Sequence, residues 1–229
     1  MSIHMAVAID GPSGAGKSSL ARCCAEKLGF LYVDTGAIYR TLGLAVLRAG
    51  IDRKDEAAVM DLLPKLSLEM KYDEAGEQRM LLNGEDVSKE IRLPEISLAA
   101  SDVSAHARVR EYLLETQRRL ARENNVIMDG RDIGTVVLPH AELKIFLTAS
   151  PEARAQRRVL QLREKGVESS FEEVLQDIRY RDEQDSNRAA APLRQADDAI
   201  LLDTSDLSFE ESFQAISELI RRRREELES

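Results

Sequence analysis

Gly11-Pro12-Ser13-Gly14-Ala15-Gly16-Lys17-Ser18 fills the pattern G-x-x-x-x-G-K-[ST] at every specified position, between an apolar run at residues 6–9 and a helical period over Lys17–Leu28. That setting commits the chain to open with a strand, a glycine-rich loop and a helix. The glycines let successive backbone N–H groups converge on an anion, at the N-terminus of a helix whose dipole favours negative charge. Lys17 then reaches the outer phosphates of a nucleotide, and the Ser18 hydroxyl suits Mg²⁺. Background residue usage puts a chance match at roughly 3 in 10⁵ per position, under about 1% for a chain of this length, so a plain glycine turn accounts poorly for the motif.

The rest of the chain alternates in the same way. Residues 30–33, 126–128, 144–147 and 199–202 read as short buried strands, and a helix is expected over residues 37–48, ending near Gly50. With residues 6–9 these make five strands separated by helical material or charged loops. This pattern predicts an α/β fold with a five-stranded parallel sheet flanked by helices, its ligands at the carboxyl ends of the strands. Two stretches interrupt it. Residues 67–87 change period around the turn-like Asp73-Glu74-Ala75-Gly76, and Asn83-Gly84 is a hairpin signal, so a small antiparallel sheet is expected there as an insertion. Residues 151–190 read as a long helical region rich in arginine (Arg154, Arg157, Arg158, Arg163, Arg179, Arg181 and Arg188) and broken at Gly166. Arg221, Arg222, Arg223 and Arg224 read as a solvated helix end whose charge complements the helix dipole.

The 229 residues fit one domain with excursions. A net charge of −9 argues against a broad surface for nucleic acid or anionic membrane but leaves room for a single nucleotide. Cys23 and Cys24 are adjacent within an expected helix, so neither a disulfide framework nor a zinc site is expected, and the reducing cytoplasm is the expected location. His4, His106 and His140 lack ligand spacing. The start of the chain has no basic segment before an apolar run, and no stretch approaches a membrane span, so neither a signal peptide nor a membrane partner is expected.

Among P-loop proteins, a GTPase would carry N-K-x-D, which does not occur. The arginines instead suit a phosphotransferase with a lid, which must exclude water and neutralise phosphate charge. In Asp34-Thr35-Gly36-Ala37-Ile38-Tyr39-Arg40, the hydroxyl, glycine and arginine could hold an acceptor phosphate, or Asp34 or Thr35 could cap the helix with Arg40 solvated. At Asp129-Gly130-Arg131-Asp132-Ile133-Gly134-Thr135, Asp129 is expected to act on the Mg²⁺ shell, against the alternative of an Asx turn with a surface salt bridge.

These segments closely resemble bacterial cytidylate kinase. The resemblance rests on IDGPSGAGKSS, DTGAIYR, NGEDVSKEIR, RVREYLL, DGRDIGTVV, KIFLTAS and RDEQDSNRAAAPL, in that order across nearly the whole chain. It implies the nucleoside monophosphate kinase fold, with core residues 1–59, 107–150 and 190–229, an acceptor-binding insertion at about 60–106 and a lid at about 151–189. The implied reaction is Mg²⁺- and ATP-dependent phosphorylation of CMP and dCMP, in pyrimidine metabolism, by a monomer without nucleic-acid partners. Gly11 through Ser19 bind ATP, and the Mg²⁺ hydroxyl comes from Ser18 or from Ser19, because Ser18-Ser19 stands where some family members have Gly-Thr. Arg40 and Arg131 grip the acceptor phosphate with Thr35 nearby. Ser101, Arg110, Asp132 and Arg188 read the base, Arg181 and Asp185 lie near the ribose, and Arg157 and Arg158 belong to the lid. Lys17, Asp129, Arg131, Arg157 and Arg158 are the expected catalytic set. Without the resemblance, Ser101 would be a surface serine and the arginines solvated helix faces. Its rivals are a P-loop kinase for UMP, shikimate or dephospho-coenzyme A, and a nucleotide-binding module without turnover.

Overall fold

The computed structural model describes residues 4–74, 76–164 and 166–229. Strands β1 (Ala6–Asp10), β2 (Leu31–Asp34), β6 (Val126–Gly130), β7 (Leu143–Thr148) and β8 (Ile200–Asp203) form the expected parallel sheet in the order β2-β6-β1-β7-β8. From β1 the chain winds first to one side and later to the other, which opens a crevice at the carboxyl end of that central strand. Alternation along β1 sorts its side chains. Val7 and Ile9 face helices α1 (Lys17–Leu28) and α8 (Phe209–Glu228), where Leu20, Cys24, Phe213, Ile216 and Ile220 are buried. Ala6 and Ala8 face the other layer with Val33, Val126, Met128 and Ile133, under α5 (Ala107–Glu123). Both faces of β1 are buried, so the strand is apolar without a gap until Asp10.

Helix α2 runs over Thr35–Arg48. It begins two residues earlier than the sequence period suggests because Asp34 caps it, accepting from Ala37 N at 2.9 Å. The insertion follows as α3 (Glu56–Leu62), the antiparallel strands β3 (Leu68–Tyr72), β4 (Gln78–Leu82) and β5 (Glu85–Asp86), and α4 (Pro94–Ser104). Asn83 and Gly84 take φ of 52° and 85° between β4 and β5, as a tight hairpin of the right twist requires. Ala75, in the other expected turn, lies outside the described residues. Met80, Leu82, Ile91, Ile96 and Val103 bury a cluster together with Ile38, Leu42 and Val46 of α2 and Val109 of α5. The small sheet also holds β2 directly: Gln78 Oε1 accepts from Asp34 N at 2.8 Å, and Tyr72 OH donates to Tyr32 O at 2.8 Å.

The arginine-rich region is two helices, α6 (Pro151–Glu164) and α7 (Phe171–Asn187), with a small apolar cluster of their own around Ala155, Val174 and Ile178. Helix α7 opens on a capping box, Ser170 with Glu173. The expectation for residues 221–224 is corrected. They lie within α8, which continues to Glu228, so they stand before its last turn, and three of them pair with acidic residues there: Arg222 Nε lies 3.3 Å and Arg223 Nη1 2.9 Å from Glu226, and Arg224 Nε lies 3.6 Å from Glu228. Among the described residues no helix is long and apolar enough to cross a membrane.

Helices α2 and α4 pack tightly at Gly43, where an added Cβ would stand 2.9 Å from Ala100 N and 3.1 Å from Ala99 C. Alanine in a helix gains about 1 kcal/mol over glycine, but overpacking costs about 1–3 kcal/mol. Gly43→Ala is therefore expected to be destabilising in urea unfolding, and a net gain in stability would refute the tight contact.

Candidate functional site

The glycine-rich loop follows β1 and wraps the N-terminus of α1, as its sequence requires. Gly11 passes so close to β7 that a side chain there would lie 1.9 Å from Leu147 O. Lys17 is buried and folds back to donate from Nζ to Pro12 O at 2.7 Å. Burial, and next the positive charge of Arg131, lower its pKa to about 7, although Asp129 and Asp185 pull the other way. Ser18 Oγ donates to Asp129 Oδ2 at 2.9 Å, while Ser19 is exposed on the far side of the turn. Of the two serines left open by the sequence, only Ser18 faces the carboxylate. Tyr32 OH donates to the other Asp129 oxygen at 2.9 Å. Asp129 is buried at the end of β6; burial, followed by the nearby charge of Asp34, raises its pKa despite these donors and Lys17.

A second cluster lies beside the loop, at the ends of β2 and β6 and along α5 and α7. Asp34 is both cap and anchor: besides capping α2, it accepts from Arg40 Nη2 at 2.7 Å and lies 3.2 Å from Arg92 Nη2. Burial would raise the Asp34 pKa, but Arg40 and Arg92 more than offset it and hold it below the usual range. Thr35 Oγ1 donates to Asp129 O at 2.8 Å, which joins the start of α2 to β6. Arg40 Nε is buried and has no hydrogen-bond partner among the described residues, so this guanidinium has an N–H to spare.

Asp132 stands between Arg110 and Arg188, paired with the first and 3.4 Å from the second. Asp185 accepts from Arg131 Nε at 2.7 Å and lies 3.9 Å from Arg188 Nη1. Burial and the charge of Arg131 lower the Arg181 pKa to about 10, and burial with Arg110 lowers that of Arg188. The cluster therefore holds more positive charge than its carboxylates balance, which is how an anion site looks from the protein side. Ser101 is half-buried on α4, and its side chain makes no hydrogen bond among the described residues.

Not every expected residue converges. Arg157 is directed to the β8–α8 connection, donating to Thr204 O and, at 3.3 Å, to Leu207 O. It is spent on carbonyls and does not reach the glycine-rich loop; Arg158 lies close enough to Arg181 to depress that pKa further. The arginine that does bind the loop is Arg154. It is 2% exposed and donates to Ser13 O at 2.8 Å, Ala149 O at 2.8 Å and both oxygens of Asp182, at 3.0 and 2.5 Å. Nothing in the sequence separates it from its neighbouring arginines, because only the placement of α6 between the glycine-rich loop and Asp182 of α7 makes it the buried one.

Asp10 was also missed, although it stands inside the motif segment. Its Oδ1 and Oδ2 accept from Ile133 N and Gly134 N, both at 2.7 Å, and burial pushes its pKa up to about 6 against those two donors. Beside Pro12 of the glycine-rich loop, a cleft of about 370 Å³ is lined by Pro12, Thr148, Ala149, Arg154, Asp182 and Asp203.

A family model described as cytidylate kinase matches residues 7–222. The chain belongs to the cytidylate kinase family. A cytidylate kinase from Caldicellulosiruptor saccharolyticus is 50% identical over 213 residues, covering 93% of this chain and 94% of the relative. One from Geobacter sulfurreducens is 48% identical over 217 residues, covering 95% and 93%. A solved structure of an uncharacterized protein from Eubacterium ventriosum superposes with a TM-score of 0.50 at 12% identity, over 95% of this chain and 99% of that one, a likeness of fold alone. As a cytidylate kinase the chain is a phosphotransferase with ATP as phosphate donor.

Burial works against the Asp185 carboxylate, but Arg131 and Arg188 outweigh it and its pKa is lowered. A carboxyl depressed in the folded state contributes stability above its unfolded pKa, and that contribution is lost as pH falls through the folded value. Asp185→Asn should therefore cost about 3 kcal/mol near neutral pH, the scale for breaking a buried pair. The gap to wild type should narrow below about pH 4. Urea unfolding of both proteins at the two pH values checks this, and a pH-independent gap would contradict it.

Proposed function

We propose that the chain transfers the γ-phosphoryl group of ATP to CMP and dCMP. The observation that carries this reading is the over-positive cluster of Arg40, Arg110, Arg131, Arg181 and Arg188 facing the glycine-rich loop, with Asp132 and Asp185 set among the guanidinium groups. Relatives about half identical over nearly the whole chain support it. Gly11 through Ser18 cradle the ATP phosphates, while Ser19, turned to solvent, continues the helix. The nucleoside of ATP occupies the cleft beside Pro12 and Asp203.

Lys17 is the mobile charge of the donor side. A phosphate draws its ammonium away from Pro12 O and restores its full charge. Ser18 and Asp129 offer a hydroxyl and a carboxylate 2.9 Å apart, hard oxygen ligands that fit Mg²⁺, which would supply charge neutralisation at the phosphates. Arg40, with its spare N–H, and Arg131 hold the acceptor phosphate beside Thr35. Arg181 and Asp185 border the ribose. Ser101, Arg110, Asp132 and Arg188 read the base: cytosine offers two acceptors beside one amino donor, which guanidinium donors and a serine or carboxylate acceptor match. Uracil reverses that pattern at adjacent positions and leaves buried polar groups unpaired.

Transfer needs no nucleophilic side chain, because the acceptor phosphate is already ionised and in-line displacement depends on placement and charge neutralisation. Arg158 and Arg181 approach from the α6–α7 lid, which Arg154 anchors to Ser13. Arg157, bound to Thr204 and Leu207, shapes the ATP side of the lid and is not in the transferring set. The acceptor-binding insertion at about 60–106 and the lid at about 151–189 act on a core that works as a cytoplasmic monomer.

Lys17→Ala should lose roughly 3–4 kcal/mol of transition-state stabilisation, the scale of one strong charge-stabilising contact. A coupled ADP-release assay checks this, and undiminished turnover would remove the loop lysine from the mechanism. Across nucleoside monophosphates, kcat/KM should be highest for CMP and dCMP. Arg188→Met should weaken CMP use strongly and leave ATP binding nearly unchanged. UMP or AMP as the better wild-type substrate would overturn the cytosine reading while leaving the kinase intact.

A further inference from the structure

The strand pairing that joins the donor and acceptor sides of the site ends at Asp10↔Gly130. Beyond that register β1 becomes the glycine-rich loop and β6 becomes the loop carrying Arg131 and Asp132, so no backbone ladder fixes one against the other. The Asp10 side chain takes over where the ladder stops. It is 5% exposed, and its two oxygens accept from the consecutive amides of Ile133 and Gly134, each at 2.7 Å.

Those amides open a π-helical turn, Ile133–Val137, whose wide 1→6 bonds run from Val137 N to Asp132 O at 3.1 Å and from Leu138 N to Ile133 O. Its far end is held as firmly. Arg118 of α5 donates from Nε to Val137 O and from Nη2 to Val136 O, both at 2.9 Å. A carboxylate thus clasps the first N–H groups of the turn and a guanidinium its last carbonyls. There is little slack at Gly134, where a Cβ would meet Lys144 Cδ at 3.1 Å and Asp10 Oδ2 at 3.4 Å.

We propose that Asp10 is a positioning residue that sets the separation and angle between the ATP-binding loop and the acceptor-binding pair Arg131 and Asp132. Gly11 is its chain neighbour on one side of the contact, and Asp132 adjoins Ile133 on the other, so a shift in the Asp10–amide bonds passes directly to both substrates. The inference rests on the kinase reading above. In-line transfer is sensitive to such shifts, with a misplacement of about 1 Å costing on the order of 100-fold in rate. Asparagine would keep the shape of Asp10 but offer only one oxygen, with its NH₂ turned toward an N–H donor.

The test compares Asp10→Asn with wild type in three measurements: ATP dissociation constant, kcat with CMP, and CDP formed per ADP released. The variant should bind ATP within about twofold of wild type, lose on the order of 30–100-fold in kcat, and release more ADP than it forms CDP, because water competes in a misaligned site. Arg118→Met, at the half-exposed end of the clasp, should show the same pattern more weakly, about 3–10-fold in kcat. Wild-type kcat and one-to-one coupling in Asp10→Asn would overturn the proposal, as would a loss of ATP affinity as large as the loss of kcat. If Asp10→Asn does not fold, unchanged kcat and coupling in Arg118→Met overturn it alone. The wild-type control separates the two levels: no CDP from the wild type refutes the CMP reading, whereas the comparison between variant and wild type tests only Asp10.

Discussion

Five guanidinium groups cannot share one partly buried cleft unless carboxylates stand between them, and the structure is arranged around that electrostatic constraint. Asp34 holds Arg40 and Arg92, Asp132 separates Arg110 from Arg188, and Asp185 binds Arg131 while facing Arg188. Each carboxylate costs free energy to bury, and the arrangement is tolerable only because every one is paired. The balance is incomplete: Arg40, Arg110, Arg131, Arg181 and Arg188 stand against Asp34, Asp132 and Asp185, and burial together with neighbouring arginines lowers the pKa of Arg181 and Arg188. Stability given up there becomes affinity for a phosphate-bearing substrate.

The sheet makes this concentration possible. Parallel strands all deliver their carboxyl ends to one edge, so Asp10, Asp34 and Asp129 emerge side by side from β1, β2 and β6. Strands β1 and β6 are buried on both faces and apolar until their terminal aspartates, and the edge strand β2 is buried at Val33 and Asp34. Each aspartate then has a separate task. Asp10 holds the acceptor loop, Asp34 caps α2 and steadies Arg40, and Asp129 faces Ser18 and Tyr32. The insertion shares its apolar cluster with α2 and α5, whereas the α6–α7 pair buries a small cluster of its own, and polar contacts tie both to the strand ends. Gln78 on Asp34 and Arg154 on Ser13 are the clearest of these.

Much of this was legible before any coordinates. The glycine-rich motif, five short apolar runs and a change of period at residues 67–87 are local signals, each produced by a few neighbouring residues. They sufficed for the parallel sheet, the antiparallel insertion and the phosphate loop. The residues expected at the acceptor came from segment resemblance, and Arg110, Arg131, Asp132, Arg181, Asp185 and Arg188 do gather in one cluster. Less was legible where arginines repeat. Arg154 and Arg157 are alike in sequence, yet one is buried on Ser13 and Asp182 and the other is drawn to Thr204.

The sequence by itself determined what depends on neighbours along the chain: the loop that can wrap phosphate, the alternation that makes parallel strands, the turn at Asn83-Gly84, and the supply of arginine and aspartate. Tertiary structure alone decided how those charges pair. Asp10 meets Ile133 and Gly134 across 123 and 124 positions, and Arg131 meets Asp185 across 54. Ser18 is distinguished from Ser19 only by which side of one helical turn faces Asp129. Such choices follow from burial, which strips water from a charged group and forces it onto whichever partner the fold brings within reach. A sequence records which groups are present but not which of them will be deprived of water together.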